Sequence, residues 1–294
     1  MIDNIVQGGK YEAKFYVPTP SYKLNQSLRN GGIPSNAIVQ IKSKDEGSFK
    51  STISMQILAN AQKMGLNVGF VDSEMAMDDL WAEEIGIDTD KWFYIQPTTG
   101  EIAWKAVHDM ITKHDCKVVV LDSIDATQPE HLHESDIGEA HIGNAAKLHS
   151  KGIRQALPII AKHDAIIIGI NQMRVNITNM GPRGYISSGG RGWGFYSKLI
   201  LDCKRSSASA NKGRDIIDID LYVEKNKLGK SFVTIPVKCK QGVGIMWQQD
   251  KLEELMDSGD LVKSGSWYRY KGEPIGQGDE SALTWIGETF DYGG

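Results

Sequence analysis

Four short segments each carry an apolar run into polar residues, and together those residues suit a nucleotide triphosphate with Mg²⁺. Ile38-Val39-Gln40-Ile41 reads as a strand, and after a polar turn Lys50-Ser51-Thr52 opens a helix to about Met64. Val68 to Asp72-Ser73-Glu74, Val118 to Asp122-Ser123, and Ile166 to Asn171-Gln172 repeat the pattern. In an open parallel sheet, ligands bind beyond the carboxyl ends of the strands. A lysine, a hydroxyl, two acids and an amide therefore converge on one place.

A phosphate-binding loop wants Gly-x-x-x-x-Gly-Lys-[Ser/Thr], because glycines let successive backbone N–H groups curl around phosphate oxygens. The lysine then reaches the β- and γ-phosphates, and the hydroxyl ligates Mg²⁺. Here the register of Lys50-Ser51 puts Lys44 and Phe49 where the two glycines belong, with Gly47 out of register. By itself this fits equally an ordinary strand–turn–helix capped by Ser48. The other strand ends strengthen it. Asp122 closes an all-apolar strand, as the acid that holds Mg²⁺ does. Glu74 is placed to orient an attacking water, and Gln172 to sense the γ-phosphate through its amide.

The elements that must position these residues alternate between strand-like and helical stretches from Ala37 to about Ile245, which predicts a mostly parallel sheet with crossover helices. Helices are expected at roughly Ser51–Met64, Asp78–Ile85, Glu101–Lys113 and Gly143–His163. Ser73 to Met77, Glu130 to Ile142 and the glycine-rich Met173 to Gly194 read as loops, the last long enough to be functional. Asp215–Lys227 and Phe232–Cys239 alternate like an antiparallel pair. Residues 1–30 read as a short N-terminal segment, to which the resemblance given below adds oligomerisation, 31–245 as the core, and 246–294 as a small separate lobe with helices at Asp250–Ser258 and Leu283–Thr289.

With 294 residues, 40% hydrophobic and 24% charged, the chain has an ordinary globular composition, and no apolar run approaches the length of a membrane span. Cys116, Cys203 and Cys239 lie far apart with no Cys-x-x-Cys, which predicts free thiols in a reducing cytoplasm. No signal peptide is indicated at Met1-Ile2-Asp3-Asn4. A formal net charge of −4 excludes general coating by nucleic acid but permits a local basic groove.

Non-specific single-strand binding needs such a groove plus side chains that stack on or wedge between bases. Between Gln172 and Gly194 stand Arg174, Arg183 and Arg191, with Ile177, Tyr185 and Trp193 interleaved. Lys147, Lys151 and Arg154, spaced four and three apart, share one helix face beside Ser150. A solvated basic face is the plain alternative. His131, His133, His141 and His149 fit no strong zinc template and have no cysteine nearby.

Over nearly its whole length the chain resembles RecA-type recombinases. The resemblance lies in Gly31-Gly32-Ile33-Pro34, Val71-Asp72-Ser73-Glu74 through Asp78, Gln96 to Glu101, Leu121-Asp122-Ser123, Ile137 to Gly143 and Ile170 to Arg174. It continues through Gly189-Gly190, Phe195-Tyr196 and Lys225-Asn226-Lys227, and is most specific in Trp267 to Gly278, within a lobe that other ATPases of this fold lack. The Ser48-Phe49-Lys50-Ser51 loop is similar to that of the UvsX-type phage recombinases, which suggests a viral origin.

The resemblance implies an α/β fold: a RecA-like P-loop ATPase core with a mostly parallel twisted sheet, a short N-terminal segment and a small C-terminal α+β lobe. It implies ATP and Mg²⁺ as cofactors, with phosphates over Gly47, Ser48, Phe49, Lys50, Ser51 and Thr52, and the metal at Ser51 and Asp122. Glu74 becomes the catalytic base and Gln172 the coupler to the DNA loop. Lys225 and Lys227 reach the γ-phosphate of a neighbouring protomer. Asp78 and Trp81 hold the adenine. Lys147, Ser150, Arg154 and Arg174 grip single-stranded DNA while Ile142 and Ile177 wedge between base triplets. Lys263, Arg269 and Lys271 form a second, duplex-capturing patch, with the rings of Trp267 and Tyr270 expected in the lobe's core. The implied partners are single-stranded DNA, a homologous duplex, further copies in a helical filament, and single-strand-binding or loader proteins.

The chain also departs from the family. Neither loop glycine is present, so the phosphate cradle is expected to follow a different backbone path. Gly194 stands where the bacterial proteins have a lysine, and Gln241 replaces a tyrosine near the adenine. Tyr11 to Tyr16 is a candidate strand for docking on the next protomer. The primary expectation is an ATP-dependent strand-exchange protein. A non-hydrolysing filament or mediator that uses ATP as a switch stays open, as does a ring-forming helicase-type ATPase.

Overall fold

Strands that are apolar along most of their length must be covered on both faces, and that requirement organises the molecule. The computed structural model describes residues 12–130, 144–175, 185–187, 189–206 and 215–290. Five central strands run parallel: β3 (Ala37–Ser43), β4 (Val68–Asp72), β5 (Trp92–Ile95), β6 (Val118–Asp122) and β7 (Ile166–Val175). They follow two short strands, β1 (Tyr16–Val17) and β2 (Ile33–Pro34), and precede β8 (Tyr185–Ser187). β9 (Leu199–Arg205) joins β3 in parallel, and β10 (Ile216–Asn226), β11 (Val233–Lys240) and β12 (Gly244–Ile245) extend the sheet antiparallel. The order across the sheet is β12-β11-β10-β9-β3-β7-β6-β4-β5, with β8 paired to the far end of β7.

Period-two alternation splits each central strand between two cores. Val118 and Val120 face the side covered by α2 (Lys50–Lys63) and α3 (Asp79–Ile85), after the short α1 (Tyr22–Ser27). Val119 and Leu121 face the side covered by α4 (Gly100–Lys113), α5 (Asn144–His163) and α6 (Arg191–Tyr196). α2 lacks a clean polar face because it is buried from Thr52 to Ala61. Its two interior amides are used: Gln56 donates to the carbonyls of Val243 and Ile245 and accepts from the Ile245 N–H, while Asn60 donates to the Pro18 carbonyl.

The C-terminal lobe comprises α7 (Trp247–Asp257), the antiparallel β13 (Leu261–Ser264), β14 (Trp267–Tyr270) and β15 (Glu273–Gln277), and α8 (Gly278–Thr289) around its own small core. It is tied to the N-terminal segment. The buried Asp250 carboxylate of α7 accepts from the Ser21 hydroxyl and the Lys23 N–H, and Lys23 also pairs with Glu253 at 2.7 Å. Of the segment expected to dock as a strand on the next protomer, Tyr16 pairs instead within its own chain, as part of β1 against β2. Tyr11 lies outside the described residues.

The expected helices form within a few residues of their expected ends, and α8 starts five residues before the expected Leu283. Two readings need correction. Met173 to Gly194 is not one loop: β7 continues to Val175, β8 returns along it with Arg174 opposite Ile186, and α6 begins at Arg191. In the lobe, Trp267 is 49% exposed, and the ring that fills the core is Tyr268, at 2%. Strand pairing puts Val262, Ser264, Trp267 and Arg269 on one face and Leu261, Lys263, Tyr268 and Tyr270 on the other. The three cysteines are buried and unpaired, and burial raises each thiol's pKa, to about 12 for Cys116 and Cys203.

Gly169 on β7 leaves room for the Trp193 ring, which a Cβ at that position would strike. Gly169→Ala is expected to lower stability by about 1–3 kcal/mol through overpacking, read as a lower urea midpoint at unchanged slope.

Candidate functional site

Beyond β3 the chain turns through residues 44–49 before α2. Gly47 has φ +63°, and Phe49, the N-cap, has φ +60° with no side-chain cap bond. A left-handed residue here is what a glycine supplies without strain, and a phenylalanine adopts it at a cost of about 1–2 kcal/mol. The missing loop glycine therefore leaves its backbone geometry behind, carried by a side chain packed on the core. Ser48 is buried, so it does not cap α2; its hydroxyl accepts from the Lys50 ammonium at 3.1 Å. The first N–H groups of a 14-residue helix, at Lys50, Ser51 and Thr52, face the turn without intrahelical partners. With the helix dipole they make an anion-binding end.

β4 and β6 deliver two carboxylates side by side, since Asp72 and Asp122 are register partners. Asp72 is 2% exposed, and its carboxylate accepts from Tyr94, Gln96 and the backbone N–H groups of Ala76 and Met77. Asp122 is 6% exposed, and its Oδ1 has no hydrogen-bond partner among the described residues. Burial pushes its carboxyl up to about 7, against the opposing hydrogen bond from Ser51 and helped by the charges of Glu74 and Asp72. Ser51 and Asp122 are hard oxygen donors, and the unsatisfied, buried Asp122 oxygen is what a divalent cation would satisfy; the pair fits Mg²⁺. The described residues contain no group of three or more His, Cys, Asp or Glu able to hold a metal. Phosphate and water oxygens would therefore complete the shell.

Glu74 is exposed just beyond Asp122, in a loop whose Ser73 and Glu74 N–H groups donate to the Asp122 carbonyl at 2.6 and 3.3 Å. Gln172 pairs in register with Ser43, at the start of the phosphate turn, and its N–H donates to Asp125. Asp78 N-caps α3 by accepting from the Trp81 N–H at 2.9 Å, and Trp81 lies half-buried against the core. These residues share the carboxyl end of the sheet. Lys225 and Lys227 do not. They sit where β10 meets the first residues of β9, at the opposite ends of the parallel strands. Lys225 is opposite Ile200, itself level with Gln40 of β3, so with strands rising about 3.3 Å per residue Lys225 stands roughly 10 Å and Lys227 roughly 17 Å back along the sheet from the end of β3. Lys225 donates to the Gly194 and Phe195 carbonyls at 2.7 and 2.9 Å, and burial, then Lys227, lowers its pKa. Lys227 is exposed beside Arg29 and Lys198 at an open cavity of about 780 Å³.

Of the residues expected to bind DNA, Lys147, Lys151 and Arg154 are exposed along α5, Ser150 turns toward α6 near Gly192, and Arg191 is exposed at the start of α6. Trp193 overturns its expectation. It is 0% exposed, stacked against Trp104 at 6.0 Å beside Gly169, and cannot stack on bases. His149 belongs to the same cluster: Nδ1 accepts from Trp104, Nε2 lies 3.0 Å from the Ile124 carbonyl, and burial lowers its pKa to about 4. Ile142, Ile177 and Arg183, with His131, His133 and His141, lie outside the described residues, and of Arg174 only the backbone is described. Lys263 pairs with Asp279 at 2.7 Å on the sheet face opposite Arg269, and Lys271 lies in the turn over Tyr270. The duplex patch is therefore not one surface.

Two family models match this chain, RecA N-terminal domain over residues 5–246 and RecA C-terminal domain over 256–292. The chain belongs to the RecA family. It is 35% identical over 274 residues to a protein named RecA from Geobacter sulfurreducens, covering 92% of this chain and 80% of that one. A RecA protein of Methylococcus capsulatus is 36% identical over 275 residues, covering 92% and 78%. A KaiC-like protein from Pyrococcus horikoshii shares the fold, with a TM-score of 0.57 at 15% identity over 79% of this chain and 97% of that one. A RecA-family protein of this kind is a DNA recombinase with an ATPase core, and no helix among the described residues is long and apolar enough to cross a membrane.

Sequence reading missed the roles of Asp72, Tyr94 and Gln96. Asp72 stood in the quoted Val71–Glu74 motif, and its place directly before Ser73-Glu74 was the available signal.

An unfolded aspartate ionises near pH 3.9. Between about pH 4 and 7 the unfolded chain thus gives up a proton that folded, nucleotide-free Asp122 keeps, and stability falls through that window. Asp122→Asn should flatten this fall, so that the variant melts above wild type at pH 8 and level with it near pH 4, while losing stabilisation by Mg²⁺–ATP.

Proposed function

We propose that this recombinase polymerises on single-stranded DNA, hydrolyses ATP in a DNA-dependent way, and carries out homologous pairing and strand exchange. The observation that carries the reading is β7. One strand holds Gln172 beside the phosphate turn and, two residues on, Arg174 at the base of the β7–β8 hairpin leading into the DNA loop. A change in what Gln172 contacts is transmitted to DNA-gripping residues along a hydrogen-bonded strand. Lys50 and the α2 N–H groups hold the phosphates, Glu74 orients water for in-line attack, and Asp78 with Trp81 frames the adenine. Mg²⁺, held by Ser51 and Asp122, would neutralise charge on the β- and γ-phosphate oxygens.

The distance of Lys227 and Lys225 from their own phosphate turn supports a role toward the nucleotide of a neighbouring protomer. Each ATP then lies between copies, and turnover depends on assembly. Lys147, Ser150, Arg154, Arg174 and Arg191 grip the DNA backbone, with Ile142 and Ile177 as base wedges. Lys151 joins them from the same helix. Arg269 and Lys271 remain the better candidates for duplex capture. A second reading, ATP as a switch without useful turnover, is favoured by one observation: the strained Phe49 at the head of α2.

ATP turnover with and without single-stranded DNA separates the two. Lys50→Ala and Glu74→Gln are expected to lower DNA-stimulated kcat by about 10²-fold or more, with ATP still bound by Glu74→Gln. A wild-type protein that binds ATP and never turns it over decides for the switch. Arg154→Ala should weaken single-strand binding and reduce the slope of log K against log salt by about 0.7, one phosphate contact; an unchanged slope removes Arg154 from the groove.

A further inference from the structure

Glu74 projects from a loop that its own side chain does nothing to hold, since no described residue hydrogen-bonds its carboxylate. The loop is fixed by backbone at both ends. On one side Ser73 and Glu74 donate to the Asp122 carbonyl. On the other, Ala76 and Met77 donate to the Asp72 carboxylate, Ala76 at 3.4 Å to Oδ1 and Met77 at 3.1 Å to Oδ2. Between them Met75 takes a left-handed φ of +54°, so the turn does not hold its shape by local preference alone. The hold on Ala76 and Met77 therefore follows the direction of the Asp72 carboxylate, while Asp78 and α3 hold the residues beyond.

Two side chains of and beyond β5 decide that. The Tyr94 hydroxyl donates to Asp72 Oδ2 at 2.8 Å, and the Gln96 amide to the same oxygen at 3.3 Å. The Tyr94 ring lies stacked on Trp92, with centroids 5.1 Å apart and planes at 20°, which aims the hydroxyl across from the edge strand to β4. Tyr94 is 37% exposed, and its ring also stacks on the buried Phe70 at 6.4 Å; a phenylalanine would keep both ring contacts and lack only the hydroxyl. The stakes are raised by register, because Asp72 stands directly opposite Asp122. Released from its donors, the Asp72 carboxylate would lose its tie to Ala76 and Met77 and be free to turn toward a second carboxylate.

We infer that Tyr94 and Gln96 are positioning residues for hydrolysis: they lock Asp72, and Asp72 tethers the 73–77 backbone that sets where Glu74 stands. The inference rests on Glu74 as the base. It assigns catalytic consequence to a hydroxyl on the edge strand that touches neither nucleotide nor DNA.

Tyr94→Phe removes only the hydroxyl. The expected result is a DNA-stimulated kcat about tenfold lower at unchanged KM for ATP and unchanged melting temperature. Gln96→Leu should act in the same direction. Because the effect runs through Glu74, Tyr94→Phe should cost nothing further in a Glu74→Gln background, whereas a general structural defect would multiply. Amide exchange at Ala76 and Met77 gives a readout independent of turnover and should speed up in Tyr94→Phe. Unchanged kcat, a loss that multiplies with Glu74→Gln, or exchange at the wild-type rate each overturns the inference. Wild-type turnover in Glu74→Gln alone overturns the base reading itself, and this inference with it.

Discussion

Two carboxylates in register at the ends of adjacent parallel strands are the constraint on which the site depends. Neighbouring strands lie about 4.8 Å apart, and Asp72 and Asp122 stand directly across from each other, both almost fully buried. Two such groups cannot both stay charged without separate compensation. The protein treats them differently. Asp72 receives protein donors from β5, from the residue after it and from the loop that follows, and becomes part of the frame. Asp122 keeps an oxygen without a partner among the described residues and a carboxyl pushed up by burial to about 7, a site that a cation would suit. The same pair of strands thus supplies a fixed point and a binding point.

Much of this was legible in the chain because hydrophobic patterning dictates parallel strands and parallel strands dictate where their last residues go. Lys50, Ser51, Glu74, Asp122 and Gln172 meet at one end of the sheet for that reason alone. Trp193 was misread because an aromatic in a glycine-rich stretch looks available, while the cavity that receives it is made by absent side chains at Gly169 and Gly189. The hairpin of β7 and β8 was hidden by polar composition, since strands that rise clear of the core need no apolar alternation. Phe49 was read as a lost glycine from residue type, although what matters there is a backbone angle that another residue can be held in. The contacts of Tyr94 and Gln96 with Asp72 were not legible, although Gln96 stood in a quoted stretch, because their partner lies on a different strand more than twenty residues away.

The two ends of the sheet carry different groups. Lys225 and Lys227 stand where the parallel strands begin, and the phosphate turn stands where β3 finishes. The tie of Asp250 to Ser21 and Lys23 joins the C-terminal lobe directly to the N-terminal segment.

α2 carries one further consequence. It is enclosed along ten successive residues, and its buried amides are bolted to β12 and to the strand-side of the N-terminal segment. A helix so enclosed cannot slide or tilt without opening the core around it, so its N-terminal N–H groups are presented from a rigid mount. Past Gln172, β7 pairs among the described residues with β8 alone, so any give at this end of the sheet belongs to that two-stranded hairpin and not to α2.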